Sequence, residues 1–379
     1  MFLFKEIINT RKINIVFIVK ILFGSFLLIK FARYREYGND LIPLLVSIYF
    51  LIHIIDLSKN KFFSKKDLIN ISLPFLAFMF VHKISYVFAF LIFLPLFNFK
   101  NLKFLYKIKL VYFLIFFTIL IPWSAKNYFV TSCLAYPLEL SCYSNSLYEL
   151  SGASEPKKVS WLTEIWAKAF IDHPNWQEID LNEYIKGFNW VSTWFKSHFL
   201  KILEIVSPIL IIIIILTVFL IFKRKEYLFK KHKRTISRYY FSLWCAIFFG
   251  LMVWFFKAPI FRYGSFYIIS LIVVSFLLIL DYFFEFKKSN NLKFLKILFF
   301  ISLSFFVIKN TLRISKSSNP LFPKSSKELI EFNRFTINNL EFFKPKNSLC
   351  YYNKFICSHE IPENIAVKKI KNYYFLIAK

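Results

Sequence analysis

The chain has 379 residues, of which 57% are apolar and 21% aromatic, and it carries a formal net charge of +28. Soluble domains average about 45–50% apolar residues, so the excess calls for a second apolar solvent, which a bilayer supplies. A charge this high would suit nucleic-acid binding, but the Lys and Arg sit in short clusters between apolar runs and not along one face, so no nucleic acid is expected as a partner. The abundance of Phe, Ile, Lys and Asn also fits an AT-rich gene.

A spanning helix needs about 20 mostly apolar residues. In chain order, the runs that meet or approach this length are 13–31, 41–57, 68–81, 84–97, 108–122, 205–222, 239–256, 263–284 and 294–308. The first has no small-residue cleavage site and predicts a helix, not a cleaved signal. The third and fourth are short and joined only by His82 and Lys83, which leaves a tight helical hairpin or a re-entrant pair. The expected fold class is therefore all-α integral membrane, with about nine transmembrane helices. Four parts follow: a bundle over 1–122, an external helical loop over 123–204, a second bundle over 205–308 and a small external tail over 309–379.

Orientation comes from the loops. Lys223, Arg224, Lys225, Lys230, Lys231, Lys233, Arg234 and Arg238 crowd one connection with Glu226 as its only acid, which marks it as cytoplasmic. Counting outward puts the other Lys-rich connections (59–66, 100–109 and 287–296) and the amino terminus on the same side. The segments 32–40, 82–83, 123–204 and 257–262 and the carboxyl terminus are then external.

The external loop holds six of the eight tryptophans. Trp161, Leu162, Ile165, Trp166 and Phe170 recur at three-to-four spacing, as do Trp190, Trp194 and Phe199, which predicts amphipathic helices. Because Trp favours the headgroup level, these helices are expected to lie along the outer membrane surface. Asp180 followed by Glu183 is a helix-start signal before the second.

Four of the five cysteines fall on the external side, where disulfides persist: Cys133 and Cys142 in the loop, and Cys350 and Cys357 in the tail. Cys245 lies in a span. Two local bridges fit, although spacing alone does not fix pairing. Metal binding is the rival, and neither pair has the C-x2-C form or nearby His of a zinc site.

No Gly-rich phosphate loop, G-x-S-x-G elbow or H-E-x-x-H is present. The spans are nearly free of Gly, Pro and acids, which argues against an ion-coupled carrier. What stands out is a polar collar at the outer boundary. It comprises Arg33, Arg35, Glu36, Asn39 and Asp40 in the first external loop, then Lys83, Ser85 and Tyr86. Trp123, Lys126, Asn127, Tyr128, Tyr136 and Pro137 follow the fifth span, and Lys257, Arg262 and Tyr263 lie between the seventh and eighth. Such a collar suits a lipid-linked anionic substrate: cations bind the phosphate, aromatics stack on sugar or polyprenyl chain, and a carboxylate serves as general base. The same residue types also anchor spans at the interface, and both readings stand at this point. No ligand cluster asks for a cofactor, although the external acids leave room for a divalent cation.

Pro122-Trp123, Lys126-Asn127 and Tyr136-Pro137 together resemble the pattern PW..RN....G...YP of bacterial C-type glycosyltransferase-like membrane proteins. These are relatives of mannosyl- and aminoarabinosyltransferases that use polyprenyl-phosphate sugars. Ala258-Pro259-Ile260-Phe261-Arg262-Tyr263-Gly264 resembles a second segment of that group, AP..RYG, and the paired cysteines of the tail resemble an ending found in some members. The likeness runs over about residues 30 to 360. It implies a multi-pass protein of the bacterial inner membrane, with a cytoplasmic amino terminus and a periplasmic carboxyl terminus. Its expected partners are membrane lipids and a polyprenyl-phosphate-linked sugar, which it would transfer to a lipid or surface-glycan acceptor at the periplasmic face. Arg262, Lys126 and Arg35 would hold the donor phosphate, with Lys83, Trp123, Asn127, Tyr136 and Tyr263 around the substrate and Asp40 or Glu36 as the base.

Two departures matter. The family has Gly where this chain has Ser132-Cys133. The catalytic acid of that superfamily lies in the first external loop of a longer amino-terminal section. Either Asp40 occupies the base position, or the chain lacks the family's first spans and Asp40 belongs to a later, non-catalytic loop, the alternative favoured by its length. A glycan polymerase, ligase or flippase, and a non-catalytic membrane scaffold, remain the rival classes.

Overall fold

The computed structural model describes residues 2–9, 14–30, 41–57, 65–96, 109–143, 154–222, 228–229, 238–285, 292–316, 332–337, 340–346, 356–357, 365–370 and 373–378. The helices are α1 (Phe2–Asn9), α2 (Ile15–Lys30), α3 (Leu41–Leu57), α4 (Lys65–His82), α5 (Leu110–Thr131), α6 (Ser154–Ala167), α7 (Leu181–Ile185), α8 (Val191–Phe222), α9 (Arg238–Lys257), α10 (Phe261–Phe283) and α11 (Leu292–Ser315), with a 3-10 helix over Ile84–Leu96. Two short strands, β1 (Leu228–Phe229) and β2 (Phe284–Glu285), pair antiparallel.

Among the described residues, α5, α8, α9, α10 and α11 are long and apolar enough to cross a membrane, and shorter apolar helices cover Ile15–Ile29, Leu41–Leu57 and Tyr86–Leu96. The protein is largely helical and membrane-embedded. Helix α5 makes the case most clearly: over its 22 residues, about 33 Å at 1.5 Å per residue, none is buried by protein. A helix apolar over most of its length with so little protein cover needs lipid around it.

The chain divides into two compact units, Met1–Trp123 with Trp161–Arg313, and Ser124–Ser160 with Ile314–Lys379. The boundaries cut the segment 123–204, expected as one loop, between Ser160 and Trp161.

The first unit is a helical bundle around α10, which is the most deeply buried of the candidate spans. Asn14 caps α2 through its side-chain oxygen, which accepts from the Phe17 amide at 2.7 Å, satisfying one of the free donors at the helix start. Lys20 and Glu6 pair at 2.7 Å and hold α1 to α2. Ser302 donates to Ser25 at 3.0 Å between α11 and α2, inside the core. Helices α9 and α10 form a close hairpin whose contacts run through two glycines. A Cβ on Gly250 would lie 2.6 Å from the Tyr267 ring, and one on Gly264 would lie 2.1 Å from the Trp254 indole.

The segment after Trp161 differs from the expected surface-lying Trp helices. Trp190 and Trp194 are 1% and 4% exposed, packed on Phe255 at ring separations of 5.1 and 5.4 Å. Trp194 also meets Trp254 edge-on at 5.9 Å. Spacing marked the apolar face but not what covers it, and here the cover is the end of α9. Trp166 and Trp176 stay exposed. Lys168, buried, pairs with Glu164 at 2.6 Å and lies 5.0 Å over the Trp190 ring. Tyr184 donates to the Lys168 carbonyl at 2.8 Å, and burial raises its phenol above the ordinary value. Asp180 caps α7 by accepting from the Glu183 amide at 3.3 Å, where Asp180 and Glu183 signal a helix start.

The second unit holds the end of α5 and the turn that follows. Its tail carries strands: β3 (Phe332–Ile337) and β4 (Leu340–Pro345) pair antiparallel, β4 continues to β5 (Ile356–Cys357) in parallel, and β6 (Ile365–Ile370) forms a hairpin with β7 (Tyr373–Ala378).

Candidate functional site

The connection between α9 and α10 is three residues, Ala258-Pro259-Ile260. Pro259 cannot continue a helix ladder and disfavours the helical conformation before it, so α9 ends there. The Ala258 amide closes on the Trp254 carbonyl at 2.9 Å, and the Tyr263 amide opens α10 on the Ile260 carbonyl at 3.0 Å. Side-chain donors then take the turn's own carbonyls. The Trp194 indole N–H donates to Pro259 at 2.6 Å, the Trp254 indole N–H to Ile260 at 2.9 Å, and Ser265 Oγ to Arg262 at 3.0 Å. The close fit of Trp254 against Gly264 is part of the same arrangement.

Onto this turn comes the junction of α4 with the 3-10 helix. Lys83 Nζ lies 4.7 Å from the centre of the Tyr263 ring, a cation–π contact of about 0.5–2 kcal/mol. The Tyr86 ring meets Tyr263 edge-on at 6.3 Å, and its hydroxyl donates to the Arg262 carbonyl at 3.4 Å. Tyr86 is buried and the Arg262 side chain is exposed. Trp123 packs at 5.4 Å on Phe80, in the last turn of α4 and three residues before Lys83. Lys83, Arg262, Tyr263 and Tyr86 are therefore gathered at one end of the bundle. A lysine held on a buried aromatic ring and an exposed arginine one residue before that ring in the chain put positive charge at this end of the bundle, which favours an anion.

Lys126, Asn127 and Tyr136 belong to the second unit. Lys126 is exposed, the Asn127 carbonyl accepts from Thr131 Oγ1 at 2.8 Å, and the Tyr136–Pro137 peptide is cis. Helix α5 ends in a left-handed residue, Ser132, at φ 59°. This is the position where the glycosyltransferase-like pattern has Gly, and a left-handed helix C-terminus is where Gly is favoured. Cys133 and Cys142 are joined in a disulfide, and around it the Leu134 and Tyr143 amides donate to the Ser141 and Ser132 carbonyls at 2.9 and 3.0 Å. This is one of the two local bridges that the cysteine spacing leaves open. Glycine at 132 should be accepted, whereas Ser132→Val should lower stability by about 1–2 kcal/mol, the cost of a left-handed conformation for a bulky residue. Thermal melting of the two variants side by side measures the difference.

Arg35, Glu36 and Asp40, together with Arg33, Asn39 and Cys350, lie outside the described residues, and Cys357 falls in β5. The expected base and the second cysteine pairing therefore have no geometry here. Among the described residues, no group of three His, Cys, Asp or Glu is placed to hold a metal ion. Trp194 and Trp254 are the site residues that sequence reasoning missed. Their one legible signal is an indole N–H on an apolar face, which must find an acceptor once buried.

No curated protein and no solved structure matches the chain. A family model described as a domain of unknown function, DUF8201, matches residues 1–269. The matched span includes Lys83, Tyr86 and the whole of the turn from Ala258 to Gly264. Since it takes in well over half of the residues, the chain belongs to the DUF8201 family.

Proposed function

We propose that the protein transfers a sugar from a polyprenyl-phosphate donor to a lipid or surface-glycan acceptor at the periplasmic face of the bacterial inner membrane. In this reading nine spans place the 3-10 helix junction, the α9–α10 turn and the carboxyl terminus on the periplasmic side. The observation that carries it is Lys83 Nζ at 4.7 Å from the Tyr263 ring, beside the turn that carries Arg262, whose carbonyl accepts from Tyr86. The resemblance of 258–264 to AP..RYG gives that arrangement a chemical role.

The acceptor hydroxyl oxygen attacks the anomeric carbon as the carbon–oxygen bond to phosphate breaks, with inversion. The acceptor proton passes to a carboxylate, Asp40 or Glu36, and polyprenyl phosphate departs with the electron pair. Lys83 and Arg262 neutralise its growing charge, an electrostatic effect of several kcal/mol where the donors are fixed in advance. Tyr263 holds the Lys83 ammonium, and the half-buried Trp123 offers its ring to the sugar or the first isoprene units.

Arg262→Ala and Lys83→Ala should each lower transfer from a polyprenyl-phosphate sugar in isolated membranes by about 100-fold. Expression level and melting temperature should stay near wild type. Unchanged transfer in both variants would remove the cations from the chemistry. A loss of folded protein without a specific loss of transfer would make Arg262 a structural residue.

A further inference from the structure

We infer that Trp194, on α8, is a positioning residue for Arg262, acting through the carbonyl of Pro259; the inference rests on the anionic-lipid reading above. The α9–α10 turn has side-chain donors on the carbonyls of Pro259, Ile260 and Arg262, and they come from different elements. Trp194 reaches in from α8 at 2.6 Å, Trp254 from α9 at 2.9 Å, and Tyr86 from the 3-10 helix at 3.4 Å. The Trp194 bond joins the turn to the segment 161–204, which is remote from it in sequence.

The Trp194 indole is itself fixed on several sides. His198, one turn along α8, stacks on it at 5.0 Å with planes 13° apart, while Trp190, Trp254 and Phe255 meet it edge-on. Its N–H cannot turn to another acceptor without disturbing this cluster, and a buried donor left unpaired is costly. The bond therefore sets where Pro259 sits, and Pro259 is three residues from the guanidinium that meets the anion. Sites that bind charge well hold their charged groups with a supporting shell of locked side chains, and Trp194 supplies that shell from outside the turn.

The test is equilibrium binding of farnesyl phosphate and of farnesol to the full chain in detergent, with inorganic phosphate as a third probe. The ratio of the two prenyl affinities isolates recognition of the phosphate. Wild type should prefer farnesyl phosphate, Arg262→Ala should lose the preference, and Trp194→Phe should reduce it about tenfold, the scale of one buried hydrogen bond. Farnesol binding should stay the same, whereas a general loosening of the bundle would weaken both ligands alike. The control Trp176→Phe, an exposed tryptophan of the same segment, should leave the ratio unchanged. If Trp194→Phe does not fold, 3-benzothienylalanine at position 194 replaces the N–H by sulfur and keeps the ring shape. A ratio that persists in the 194 variants but collapses in Arg262→Ala overturns the inference and leaves the anionic-lipid reading standing. Wild type that binds both prenyl ligands equally overturns both. Competition by inorganic phosphate alone, without a prenyl contribution, would overturn the lipid as ligand and keep the positioning role.

Discussion

Gly264→Ala should destabilise the protein by about 2–3 kcal/mol, a large loss for one added methyl group. Position 264 lies in the first turn of α10, where alanine would ordinarily gain up to about 1 kcal/mol over glycine. The gain is outweighed because the new Cβ would lie 2.1 and 2.2 Å from two carbons of the Trp254 indole. The neighbour is a large ring in a packed cluster, so it cannot move aside as the tip of a flexible chain could. Displacing it would also break its 2.9 Å bond to the Ile260 carbonyl. Melting of Gly264→Ala in detergent checks the expectation. Trp254→Phe, costly alone, should recover part of the Gly264→Ala loss in the double variant, since the smaller ring leaves room. Strictly additive losses would show that the two sites do not share this contact.

Removing the Cys133–Cys142 bond should destabilise the second unit by about 3 kcal/mol, the chain-entropy value for a loop of roughly ten residues. The bridge joins the two arms of the turn after α5, and Cys133 is fully buried. Without it the turn is left to weaker ties, among them the Leu134 amide to the Ser141 carbonyl at 2.9 Å and the Ala135 amide to Ser141 Oγ at 3.0 Å. In Cys142→Ser, protease should cut between 132 and 143 far faster than in wild type. Peptide mapping without reductant should find Cys133 and Cys142 linked in protein drawn from membranes. Free thiols at both positions would place this turn in a reducing compartment, contrary to the proposed orientation.

Much of the helical architecture is legible in the sequence because lipid demands long apolar runs. The run 41–57 coincides with helix Leu41–Leu57, and 239–256 lies within Arg238–Lys257. The run after His82-Lys83 is apolar apart from Ser85 but forms a 3-10 helix over Ile84–Leu96. A continuous apolar run has no period from which that winding could be read. The Asp180 cap is readable because capping depends on residues only three apart. The burial of Trp190 and Trp194 is not, since their spacing defines a face and says nothing of the partner, here Phe255 and Trp254 from some sixty residues away. At the site the residue types were legible singly. That Lys83 rests on Tyr263, 180 positions on, follows only from how the 3-10 helix packs against α10. Ser132 shows the reverse: the glycine of the pattern that 122–137 resembles names a backbone need that φ 59° makes explicit.

The central claim is that an anionic prenyl lipid binds where Lys83, Tyr86, Arg262 and Tyr263 meet. Photo-crosslinking tests it most directly. A farnesyl phosphate analogue with a diazirine on its first isoprene unit is bound to the full chain, irradiated, and mapped by peptide sequencing. Labelling should concentrate in the peptides containing residues 80–90 and 258–267, and excess farnesyl phosphate should suppress it where excess farnesol does not. Label spread over the lipid-facing surfaces of α5 and α11, unaffected by competing phosphate, would contradict the account.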